Sequence, residues 1–153
     1  MTSETLSREQ LLQKHRPSYF PVCMVEECGI REHCLRAMIF ENNIEKEEVF
    51  PLINPARVMP EEGVKCPWYQ SSEPVLFAIG FAQALDSLSK VNYEQCTQYL
   101  INKYSKSTFY RWKNGEVALS PELQQMVAEA LHAFGYPEGE VQFDAYEYRM
   151  KWA

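Results

Sequence analysis

The chain has 153 residues, 46% hydrophobic and 24% charged, with a formal net charge of −6. That suffices for one ordinary core, or for a small module beside a larger one, and excludes disordered and fibrous classes. No apolar run approaches the ~20 residues needed to cross a bilayer, so no membrane partner is expected. Residues 1–16 are polar and lack the apolar stretch of a secretion signal, which makes the expected location cytoplasmic.

An acidic total argues against indiscriminate binding to nucleic acid, because Lys and Arg on phosphates supply most of that affinity. The charge is unevenly spread, however. Residues 87–117 carry five basic and two acidic side chains between acidic flanks, and an electrostatic footprint is local.

In chain order, residues 2–15 read as a short helix carrying Leu6, Leu11 and Leu12 before the breaker Pro17. An irregular stretch around Pro17 and Pro21 leads to a helix from near Ile30, with Ile30, Cys34, Ala37 and Met38 on one stripe. Residues 41–62 are acidic and broken by Pro51, Pro55 and Pro60, leaving room for a short edge strand at most. From Pro74, the residues Leu76, Phe77, Ile79, Phe81, Ala84, Leu85 and Leu88 form a broad apolar set that predicts a helix. Further helices are expected over about 93–104, 106–114 and 121–134, the last with Ser120 as N-cap, Pro121 first and Gly135 just past its end. The aromatic, charged tail with Phe143, Tyr146, Tyr148 and Trp152 is expected to pack back on the body.

Cys23, Cys28, Cys34 and Cys66 follow the spacing C-x4-C-x5-C, with 31 residues before the fourth. In a reducing compartment, clustered thiols are metal ligands sooner than a disulfide framework. Four of them can surround one tetrahedral ion at roughly 2.3 Å. Residues 17–72 are proline-broken and poor in apolar side chains, so a structural zinc would fasten them, because metal binding free energy becomes folding free energy. The alternatives are an iron–sulfur cluster, which Cys66-Pro67 would also suit, His33 in place of one sulfur, or metal-free buried thiols. Cys96 stands alone and reads as a core residue.

In residues 105–116, helical phase puts Phe109 and Trp112 on one side and Ser107, Tyr110, Arg111 and Asn114 on the other, with Lys106 and Lys113 flanking. The pattern Ser105-x-x-Thr108-Phe109-x-x-Trp112-x-Asn114-Gly115-Glu116, followed by Leu119-Ser120-Pro121-Glu122, resembles the Cro/repressor helix-turn-helix family over about residues 92–136. The resemblance implies that Lys106, Ser107, Tyr110 and Arg111 face base edges in double-stranded DNA, and that Lys113 and Asn114 reach phosphates. It also implies a homodimer reading two half-sites. Tyr99, Asn102 and Lys103 depart from the family pattern, glycine being usual where Lys103 stands, which predicts a turn tightened by a residue or re-formed. The chain as a whole is similar to an uncharacterised family of small bacterial proteins, a domain of unknown function. The likeness lies in Cys34-Leu35-Arg36, Cys66-Pro67-Trp68-Tyr69, Thr108-Phe109-Tyr110-Arg111 and Leu119-Ser120-Pro121-Glu122, and implies no activity.

No catalytic set assembles: His15, His33 and His132 are scattered, the glycines are single, and four sulfurs make a closed metal site, so an enzyme is not expected. The expected architecture is mainly α. It has a Cys-rich metal-knuckle segment over residues 1–72 and a repressor-like helix-turn-helix domain with its tail over 73–153. The expected function is that of a DNA-binding transcriptional regulator. The alternative is an adaptor that binds a protein partner, using the helical domain as scaffold, without DNA binding.

Overall fold

A computed structural model describes residues 6–58 and 66–152. The protein is mostly helical, with α1 (Arg8–Gln13), α2 (Leu35–Asn43), α3 (Ala82–Asp86), α4 (Lys90–Tyr104), α5 (Lys106–Lys113) and α6 (Pro121–Ala133), and a two-stranded sheet of β1 (Val75–Ile79) and β2 (Ala145–Arg149). It divides into two compact units, Met1–Pro74 with Arg149–Ala153, and Val75–Tyr148.

In the first unit, Ser7 opens α1 with a capping box. Its hydroxyl accepts from the Gln10 amide while the Gln10 side chain accepts from the Ser7 amide, so two orphan donors are satisfied reciprocally. The helix buries Leu11 and Leu12 with Phe20, Val22, Leu35, Ile39 and Met150. The tail expected with the helical domain divides. Phe143 enters the core of the second unit, whereas Trp152 packs edge-on against Phe20 at 5.0 Å and donates to the Lys14 carbonyl at 3.3 Å. The expected edge strand near residue 52 is reduced to an isolated parallel bridge between Val22 and Leu52, as prolines on both sides predict.

In the second unit, the helix expected from Pro74 is strand β1, which ends at Ile79, and Gly80 and Phe81 lead into the short α3. Val75, Phe77 and Ile79 favour a pleated surface, and the partner strand β2 supplies the pairing. Gly80 has φ +77°, and a Cβ there would lie 2.7 Å from the Asp144 carboxylate and 3.1 Å from the Lys113 carbonyl, so glycine is required twice over. That carboxylate accepts from the amides of Ala82 and Gln83, both at 3.0 Å, and so caps α3 from the far end of the unit. Ser89, Ser105 and Ser120 cap α4, α5 and α6. The core gathers Phe81, Leu85, Cys96, Leu100, Phe109, Leu119, Val127 and Leu131.

Candidate functional site

Each unit holds a candidate site. In the first, helix α2 begins at Cys34, its N-cap, after a 3-10 turn over Arg31–His33. Residues 70–72 pair with this start. The Leu35 amide donates to the Gln70 carbonyl at 2.6 Å and the Ser72 amide to the His33 carbonyl at 3.0 Å. A turn closed by the Tyr69 amide on the Cys66 carbonyl, at 3.1 Å, then sets Cys66.

Arg36 fastens the other strand of chain. Its carbonyl accepts from the Cys23 amide at 3.3 Å, and its guanidinium donates to the carbonyls of Pro21 and Trp68, each at 2.8 Å. The same guanidinium lies 4.5 Å over the Phe20 ring and 5.6 Å over that of Trp68. Cys23, Cys28, Cys34 and Cys66 thereby line a single cavity of about 20 Å³, together with Arg31, Arg36 and apolar side chains; His33 is not among the lining. Burial lowers the Arg36 pKa, and the neighbouring Cys34, Cys23 and Cys66 oppose that shift. Arg31 pairs with Glu41. Among the described residues no three donor side chains stand close enough, as they are, to hold a metal ion.

In the second unit, α4 and α5 meet through one residue. Ser105 ends α4 and caps α5, its hydroxyl accepting from the Thr108 amide at 3.2 Å. Its φ of +106° and ψ of 157° lie in a region almost confined to glycine. Helix α4 runs on through Lys103 and Tyr104, so Ser105 alone separates it from α5.

Phe109 is buried, 5.9 Å from Phe81, and Trp112 is half-buried, 4.9 Å from Tyr104. Lys106, Ser107, Tyr110, Arg111 and Asn114 are all exposed. Neither Lys106 nor Arg111 forms an ion pair with a described residue. Lys113 differs. Its ammonium donates to the Tyr93 hydroxyl at 2.9 Å and lies near the Tyr93 and Tyr110 rings, so its charge is held inward. After α5 the chain returns to β1, where Ala78 and Leu119 exchange amide hydrogen bonds of 3.0 and 2.8 Å, fixing the helix from its far end.

Two residues were missed in the sequence. Arg36, which the sequence offered only as part of Cys34-Leu35-Arg36, scaffolds the cavity by bonding the backbone carbonyls of Pro21 and Trp68. Lys103 is exposed, and its pKa is raised chiefly by Tyr104 and then by Tyr99, so it keeps a positive charge beside the start of α5.

Residues 6–152 match a family of unknown function, DUF6078. The chain belongs to this family. DUF6078 membership thus spans both units, so the cysteine cavity and the α4–α5 pair are parts of one family's chain. No curated protein and no solved structure matches the chain. Among the described residues no helix is long and apolar enough to cross a membrane.

Proposed function

We propose that the chain is a transcriptional regulator that binds double-stranded DNA through α5, as a homodimer. The observation that carries this reading is the division of α5 into a buried side, Phe109 with Trp112, and an exposed one with Lys106, Ser107, Tyr110, Arg111 and Asn114. A short helix pinned by its core side and offering hydroxyl, guanidinium and amide groups suits the major groove, where such groups read base edges. Arg111, unpaired among the described residues, is the residue suited to bidentate contact with guanine, and Lys106 and Lys103 are placed for phosphates. Lys113, held by Tyr93, has a positioning role ahead of a phosphate contact. No catalytic step is part of this proposal.

Fluorescence anisotropy with duplex fragments from the source genome tests it. The expected result is saturable, sequence-selective binding with two chains per duplex site. Arg111→Ala is expected to cost about 1–3 kcal/mol and to relax selectivity, while Lys106→Ala weakens all duplexes alike. Undiminished affinity in the double variant overturns the assignment of α5.

A second reading, the protein-binding adaptor, draws on an open groove of about 680 Å³ in the second unit, lined by Leu76, Gln124, Ala128, His132, Val141 and Phe143 among others. A stable complex with a protein partner, blocked by His132→Glu, together with no affinity for any duplex, would select it.

A further inference from the structure

We propose that Cys23, Cys28, Cys34 and Cys66 bind one zinc ion as four thiolates, closing a structural site that fastens the first unit. This inference goes beyond the DNA reading and stands on different residues, so a chain that binds no duplex still tests it.

The donor set comes first. Thiols from three separate stretches of chain, the loop at Cys23, the turn and helix start at Cys28 and Cys34, and the turn at Cys66, line one cavity, and among the described residues no His, Asp or Glu side chain joins them there. An all-sulfur set selects a soft or borderline ion and rejects magnesium and calcium, which take oxygen. Four ligands also close the coordination sphere, the pattern of a structural site, not a catalytic one.

Size favours a single ion over a cluster. About 20 Å³ accommodates one water-sized centre. A cube of four irons and four sulfides needs far more room, and the walls are not loose. Arg36 holds the loop at Pro21 and the loop at Trp68 through two hydrogen bonds, and the Leu35 and Ser72 amides tie residues 70–72 to the start of α2.

Charge is the third observation. Four thiolates around a dication carry a net charge of minus two, and the Arg36 guanidinium lines the same cavity, with Arg31, itself paired with Glu41, beside it. The three-donor convergence a bound ion requires is not present as the side chains stand. Each cysteine turns on one torsion between staggered wells, and zinc uptake requires the four sulfurs to converge on the entering ion by such turns. On closure each thiol gives its proton to solvent as its sulfur bonds the metal. Four protons leave for one zinc taken up, and the ion's waters return to bulk.

The test uses the full chain. Elemental analysis of freshly purified protein is expected to give one zinc per chain. After chelation, the melting temperature should fall by roughly 10 °C and recover with zinc. Titration with Co²⁺ alone should saturate at one equivalent with the intense visible bands of a tetrahedral thiolate site. Cys66→Ser is expected to weaken Co²⁺ binding roughly 100-fold or more, while Cys96→Ala, in the other unit's core, leaves it unchanged. Should Cys66→Ser fail to fold, the wild-type cobalt spectrum and stoichiometry decide. Protein without metal whose melting ignores both zinc and chelator overturns the proposal. So does iron with visible absorption, or a Co²⁺ site that survives Cys66→Ser intact.

Discussion

Cys96 shows how one side chain can be read from its surroundings alone. It is fully buried in the core of the second unit, and burial pushes its thiol pKa from 9.0 up to about 11. The thiolate is the reactive form, so Cys96 should resist alkylation until the unit unfolds. The folded protein also holds the thiol proton more tightly than the unfolded chain does. The associated stability is therefore complete below the unfolded pKa and is lost as pH rises through the folded one, which places the window between pH 9.0 and about 11. A thiol pKa raised that far is worth about 3 kcal/mol at most. Urea unfolding across that window should show wild-type stability falling more steeply than that of Cys96→Ala; parallel curves would contradict the buried-thiol account. The isolation of Cys96 on its helix was legible in the sequence, as was the exposure of Arg111. Arg36 was not, because its role is to bond carbonyls of loops 15 and 32 residues away, and backbone acceptors leave no mark in residue type.

At the level of elements, three serines mark helix starts: Ser89, Ser105 and Ser120 each accept from the amide three residues on, and of these only Ser120, followed by Pro121, was legible as a cap in the sequence. Ser105 is the anomalous one, since it caps α5 from a backbone conformation that L residues avoid. Replacement effects there should have opposite signs. Ser105→Gly removes strain and costs only a few tenths as a cap, for a net gain of about 1 kcal/mol. Ser105→Ala keeps the strain and loses the cap, for a loss of about 1 kcal/mol. Thermal melts of the pair check this, and a destabilised glycine variant would show that the turn is unstrained. The strand β1 was the element least legible in the sequence. Its apolar residues fit a helical face as well as a pleat, and what selects the pleat is β2, some 70 residues on in the sequence, whose pairing is invisible locally.

For the whole molecule, composition and punctuation sufficed to expect a mainly helical chain with a cysteine-rich first part, while the likeness to a family of unknown function rested on motifs such as Cys66-Pro67-Trp68-Tyr69 and Thr108-Phe109-Tyr110-Arg111. The family matches over residues 6–152. What was not legible is the return of Met150 and Trp152 to the first unit's core, because tail aromatics carry no address. The regulator reading makes one physical demand on the full chain: although its net charge is −6, the local positive charge of α4 and α5 must dominate its encounter with a duplex.

The most direct measurement is the salt dependence of duplex affinity, for wild type and for the variant carrying Lys106→Ala and Arg111→Ala. Phosphate neutralisation makes log K fall linearly with log salt, at about −0.9 per phosphate contacted. The account predicts a steep wild-type slope, made shallower by about 1 for each phosphate-contacting cation removed per chain. A flat wild-type line, or the same slope in the double variant, would contradict the claim that α5 is the surface that meets DNA.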